Sequence, residues 1–192
     1  MDERIKAVTF DEEAHKYWYS GRELHGVTGV IGKMLGKNFP DTETVQIATL
    51  YGKDVHSEVE HYFNDGRKEL SSEGAKWVVD TMEHWGDNLL MDRVEEISSE
   101  VMVSDFEGTA SKVDLVLRTF EGNVTLFDIK TTSHFDREYC SLQLSVYKRL
   151  YEQNYGGTVV GMYVLGTKSQ RAFRILEKPS VKVDKILAMN KE

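Results

Sequence analysis

The stretch "LFDIKTT", residues 126–132, places an acid and a lysine two positions apart in a run that otherwise has the composition of a strand. In a β-strand, residues i and i+2 project to the same face. Asp128 and Lys130 therefore share a face, and Ile129 between them turns toward the core. A second acid, Asp114, lies in "KVDLVL". If the two runs are neighbouring strands joined by a tight turn at "EGN", Asp114 and Asp128 meet at one edge of the sheet. Two carboxylates brought together need a counter-ion, and a hard divalent cation such as Mg²⁺ prefers oxygen ligands. An ammonium beside them can stabilise developing negative charge or orient an attacking water. The same triplet also reads as an ordinary salt bridge between strand side chains.

Four further residues have types suited to such a site. Gln143 and Tyr147, in "QLSVY", stand four apart and share one helical face. His56, in "GKDVHSEVE", lies on a helix with Glu60 one turn later. Glu100, in "SSEVMV", is an isolated acid in an apolar run. Each has a plain alternative: surface packing for the glutamine and tyrosine, a satisfied side chain for the histidine, solvent for Glu100.

The elements that must position these residues can be traced along the chain. "VTFDEEAHKYWYSGRELHGV" suggests short strands in a hairpin turning at Ser20 and Gly21. "VTGVIGKML" reads as a short helix with Thr28 as its N-cap. Asp41 is placed to cap a long helix running to about Phe63. Gly52 lies inside that helix, at a cost of roughly 1 kcal/mol against alanine. "SEGAKWVVDTMEHWGDNLL" is a second amphipathic helix. The period then changes, and residues 94–105, 112–120 and 123–132 read as three strands. Asp136 and Gly156 bracket a helix. "TVVGMYVLG" and "RAFRILE" are further strands, and the tail from Ser180 is a last helix. This order predicts one α/β (α+β) domain over residues 1–192, with helices packed on a sheet.

Composition narrows the class. The chain has 192 residues, 40 % of them hydrophobic and 29 % charged, as in globular proteins. Its one cysteine, Cys140, excludes an internal disulfide framework and a cysteine-rich zinc site. A reducing, cytoplasmic setting is expected. No apolar run approaches the ~20 residues that span a bilayer, and the first ten residues lack the apolar core of a signal peptide. The net charge is −8, divided into −12 over residues 1–108 and +4 over residues 109–192. The acidic excess can be a solvated surface. Alternatively, the second half offers a basic face to a phosphate backbone, and some of Lys112, Arg137, Lys148, Lys168, Arg171 and Arg174 then gather around the cleft.

Taken in order, "HKYWYSGRELHGVTGVI", "GKDVH", "GTASKVDLVL", "FDIKTT" and "QLSVY" resemble the PD-(D/E)XK nuclease superfamily, in its RecB-like exonuclease branch. The resemblance spans roughly residues 10 to 150. It implies a restriction-endonuclease-like core: a mixed central sheet flanked by helices, with an N-terminal β-hairpin. It implies hydrolysis of DNA phosphodiester bonds dependent on one or two Mg²⁺ or Mn²⁺ ions. The ligands implied are His56, Asp114, Asp128 and the Ile129 carbonyl oxygen, with Glu100 serving a second ion or its waters. Lys130 would orient the water, and Gln143 and Tyr147 would position DNA or the lysine. Lys112, Arg137 and Lys148 would contact DNA. Imidazole tilts preference toward Mn²⁺. The stand-alone module resembles bacteriophage exonucleases of DNA recombination. That implies DNA as partner, with a recombinase or single-strand-annealing protein beside it, in the host-cell cytoplasm. Departures are Val113 where the superfamily's name has proline, and Gly108 six positions before Asp114. The rival expectation is a non-catalytic DNA-binding or assembly module that keeps the nuclease fold. Cleavage polarity and strand preference are left open by the residues.

Overall fold

The computed structural model describes residues 1–36, 43–85, 93–189 and 191, with the backbone alone for 43–48. A 3-10 turn, Glu3–Ala7, leads into a three-stranded antiparallel meander: β1 (Thr9–Asp11), β2 (Lys16–Tyr19) and β3 (Arg22–Gly26). The expected turn at Ser20 and Gly21 is present, with φ of 49° and 78°. Glycine takes this left-handed conformation without a Cβ penalty. β3 runs straight into α1 (Val27–Met34), whose N-cap is Gly26 with no side-chain cap bond. Thr28 is therefore not the cap. Its carbonyl instead accepts a hydrogen bond from Tyr139 at 2.9 Å.

Next along the chain come two helices, α2 (Glu43–Asp65) and α3 (Glu73–Trp85). Asp41, expected to cap α2, lies outside the described residues. Val55 and Val59 of α2 and Ala75, Val78, Val79 and Met82 of α3 are buried. Their three- and four-residue spacing gives each helix one apolar stripe. Both stripes cover one face of the sheet, against Leu115, Leu117, Phe127, Ile129 and Leu165.

The sheet continues with β4 (Val94–Ser104), β5 (Thr109–Thr119) and β6 (Asn123–Lys130). α4 (Arg137–Tyr155) crosses over to β7 (Thr158–Gly166), which lies parallel to β6; β8 (Arg171–Arg174) completes that edge. As expected, the Asp136 carboxylate caps α4 by accepting the Tyr139 N–H, and Gly156 ends it at φ 73°. α4 packs against the second face of the sheet together with α1 and α5 (Ser180–Ala188). The result among the described residues is the expected α/β arrangement, an eight-stranded mixed sheet with five helices. None of these helices is long and apolar enough to cross a membrane.

At the centre of the sheet, β5 pairs with β4 along almost its whole length. Its other edge is shared: β3 pairs in parallel at Thr109 and Ala110, and β6 pairs antiparallel from Leu115 to Arg118. Ser111 to Asp114 have no strand partner on that edge, so β3, β5 and β6 part there in a fork. The register would pair Asp114 with Asp128 next, but the ladder stops one residue short, at Leu115 and Phe127.

Candidate metal centre

Buried backbone groups left without a strand partner must find another. At the fork, side chains fill that need. The Asp114 Oδ2 accepts the Ile129 N–H at 2.6 Å. Ser99 donates its hydroxyl to the Asp114 carbonyl at 2.8 Å. Within an extended strand, one residue's N–H and C=O point to the same side. The Ile129 carbonyl therefore also opens toward the fork, and Ile129 lines its cleft.

Helix α2 brings the histidine. Gly52, His56, Glu60 and Asn64 form one row at four-residue spacing. At Gly52 an added Cβ would lie 3.0 Å from the Thr131 Oγ1, so glycine lets the helix approach the end of β6 closely. At the other end of the row, the Asn64 side-chain amide donates to the Ser99 carbonyl at 2.9 Å and accepts the Ser99 N–H at 3.0 Å. Pinned at both ends, the helix holds His56 over the fork. Its Nδ1 is 3.6 Å from Glu100 Oε1 and 3.9 Å from Asp114 Oδ2.

Glu100 reaches this point through an unusual backbone. Its φ is +53° in the middle of β4, opposite Asp114. A non-glycine residue held there costs about 1–3 kcal/mol and persists only where its surroundings enforce it. The packing records the break. Ile97 belongs to the α2/α3 side of the sheet, while Val101 and Val103 belong to the α4 side, although all three would share a face in a regular strand. On β5 the same exchange separates Val113 from Leu115 and Leu117. Both strands change faces at the Glu100–Asp114 position, and the change turns the Glu100 carboxylate toward His56.

His56, Glu100 and Asp114 each offer a ligand atom within 4.8 Å of the others. Asp128, expected beside His56 and Asp114 among the ligands, is not in this group. Its Oδ1 accepts from Lys130 Nζ and from Gln143 Nε2, both at 2.9 Å. Its Oδ2 lies 2.8 Å from the same ammonium but makes no hydrogen bond, and neither does Gln143 Oε1; both atoms are buried. Gln143 also donates to Tyr147 Oη at 3.1 Å. The cleft is lined by His56, Glu100, Lys112, Asp114, Asp128, Ile129, Lys130, Gln143 and Tyr147 together. Tyr17 and Ser111 line it too. Their residue types gave no signal of this, because their place depends on the fork.

The electrostatics reflect crowding. Burial raises the Asp114 carboxyl well above the usual range; His56 opposes this, and the Asp128 and Glu100 charges reinforce it. For His56, burial favours the neutral ring, but Asp114 and Glu100 outweigh it and lift the value to about 9. Lys130 follows the same pattern: burial pulls down, Asp128 and Asp114 pull up, and the net shift is upward. Three acids thus share a small volume with cations drawn in to balance them. One imidazole nitrogen and carboxylate oxygens at this spacing suit an ion such as Mg²⁺ or Mn²⁺.

The basic residues divide. Lys112 lines the cleft, 3.8 Å from Glu100 Oε2, with its ammonium 4.9 Å from the Phe10 ring centroid. Lys168 stands over Tyr51 of α2, just after Thr167, whose N–H donates to the Lys130 carbonyl. Arg137 and Lys148 do not join them. They line grooves beside residues 174–178, where Lys148 pairs with Glu177 at 2.6 Å. Arg174 lines the same grooves, and Arg171 lies on β8 with its guanidinium near the Phe173 ring. On α4, Arg137, Ser141 and Lys148 occupy a different row from Gln143 and Tyr147. A scan against protein-family models finds no match for this chain, and a search of curated proteins likewise finds none.

Proposed function

We propose that this protein is a metal-dependent phosphodiesterase that hydrolyses DNA, a nuclease of the PD-(D/E)XK kind. The observation that carries the reading is the fork. His56, Glu100 and Asp114 converge there to cation-binding distance, beside a lysine fixed on a buried aspartate. His56, Glu100 and Asp114 are the residues that would hold Mg²⁺ or Mn²⁺, with the Ile129 carbonyl as a further oxygen at the fork. A bound divalent cation supplies charge neutralisation at a phosphate and a water of lowered pKa.

The protein's own residues do the rest. Lys130 stays charged, because Asp128 and Asp114 raise its pKa, and it presents a fixed positive group to charge developing on the phosphate. Asp128 aims that ammonium, and Gln143 aims Asp128 through an N–H bond that only one amide orientation allows. Lys112, which lines the cleft, supports this reading as a cation available to a phosphate backbone entering it.

The test is digestion of end-labelled linear and circular DNA with Mg²⁺, with Mn²⁺ and with EDTA. The reading expects cleavage with either metal and none with EDTA, and exonuclease action spares the circle. Intact DNA under every condition contradicts it and leaves a non-catalytic DNA-binding or assembly module.

A further inference from the structure

Tyr17 enters the cleft from the N-terminal meander, far in sequence from the acids. Its ring is buried with Ile5, Val8, Leu24 and Ala110, and its phenol oxygen lies beside the Ser111 hydroxyl and the Lys112 backbone amide. Ser111 and Lys112 belong to the part of β5 that has no strand partner at the fork. A chain of buried polar groups continues from there. Ser111 Oγ is 3.0 Å from Tyr147 Oη, Tyr147 Oη is 3.1 Å from Gln143 Nε2, and Gln143 Nε2 is 2.9 Å from Asp128 Oδ1.

One order of protons satisfies every contact in this chain and leaves the Tyr17 O–H free. Asp128 is the acceptor for the Gln143 amide nitrogen, whose second hydrogen goes to Tyr147 Oη. In that order Tyr147 donates its own proton to Ser111, and the Ser111 hydroxyl donates to Tyr17. The Lys112 N–H, next after Ser111 along β5, lies beside the Tyr17 oxygen as well. The Tyr17 O–H is then left for the cleft, which Tyr17 lines together with Asp114, Asp128 and Lys130.

We propose that Tyr17 is a further catalytic residue of this site, its hydroxyl donating to a non-bridging oxygen of the scissile phosphate, and that Ser111 is the positioning residue that aims it. The inference rests on the phosphodiesterase reading of the fork. Burial raises the Tyr17 pKa to about 12, so the hydroxyl keeps its proton and acts as a neutral donor. No proton is transferred. A donor placed where negative charge develops strengthens its hydrogen bond as the transition state forms. The network also links the meander to Asp128, so the N-terminal strands are part of the site and not an appendage to it.

The experiment compares the wild-type chain with Tyr17→Phe, Ser111→Ala and the double variant in Mn²⁺-supported cleavage of linear DNA. Thermal unfolding and calorimetric Mn²⁺ titration are run on each. Tyr17→Phe keeps the buried ring and removes one oxygen. It is expected to lower kcat by roughly 10²-fold, the usual effect of losing one such donor, with KM and Mn²⁺ affinity unchanged and the chain still folded at the assay temperature. Ser111→Ala lowers kcat less and adds nothing in the Tyr17→Phe background. A phosphorothioate at the scissile position slows the wild type more than it slows Tyr17→Phe. Wild-type turnover in Tyr17→Phe overturns the inference alone. So does a loss that appears equally in Mn²⁺ affinity. A wild-type chain that cleaves no DNA overturns the phosphodiesterase reading, and this inference with it.

Discussion

Strand β5 has two halves with opposite characters. From Leu115 to Arg118 it is hydrogen-bonded on both edges, and Leu115 and Leu117 are buried among apolar side chains. From Ser111 to Asp114 one edge is open, and side chains take over what a neighbouring strand would supply. The paired half holds the fold together through burial and ladder bonds. The open half gathers three acids around His56 and Lys130. Removal of a group should therefore have different consequences in each half.

The largest expected effect lies in the open half. Asp114→Ala should abolish DNA cleavage while leaving the folded state intact, as activity assays and circular dichroism would register. Persistent turnover would break the division between the halves. Lys130→Ala should rank second, with single-turnover cleavage slowed by ~10²–10³-fold and Mn²⁺ affinity largely retained, since an ammonium has no lone pair to offer a metal.

The paired half should respond in stability. Leu117→Ala should cost about 2–5 kcal/mol in denaturant unfolding and leave the metal centre's affinity unchanged. Asp114→Asn should show the reverse: no loss of stability in metal-free protein, because Asp114 is already displaced toward its neutral form. A large destabilisation by Asp114→Asn would make the fork a structural element like its neighbour.

A gentler probe is pH. In the metal-free protein, the folded values of Asp114 and His56 both lie above their ordinary values of 3.8 and 6.5. The folded state therefore binds more protons than the unfolded chain. Stability from these groups is present at low pH and declines as pH rises from about 4 through about 9, where His56 loses its proton. Mn²⁺ needs the unprotonated ring, so its affinity should climb over the upper part of that range, with proton release measurable by calorimetry in two buffers. A pH-independent affinity would remove His56 from the centre.

Much of the fold is legible in the sequence because it obeys period. The α2 and α3 stripes, the Asp136 and Gly156 caps and the hairpin turns are all local signals. The spacing of Asp128 and Lys130 is local too, and their side chains do meet, at 2.8 Å. Glu100 is harder. A two-residue period cannot anticipate a positive φ in mid-strand, yet that φ turns Glu100 toward His56. Asn64 clamps β4 through two hydrogen bonds that depend on where the helix lies in space. Charge alone groups Arg137 and Lys148 with the cleft, but their row on α4 faces residues 174–178. Tyr17 is invisible in the sequence because the β3–β5 pairing, a contact distant along the chain, is what brings the meander to the site.

The central claim is that the fork holds a divalent cation on His56, Glu100 and Asp114. The most direct measurement is an anomalous-difference map from a crystal soaked in Mn²⁺. The expected result is a peak bonded to one His56 ring nitrogen at ~2.0–2.3 Å, with oxygens of Glu100 and Asp114 completing the near ligands. A soaked crystal with no peak at the fork, or with the ion on other residues, would contradict it.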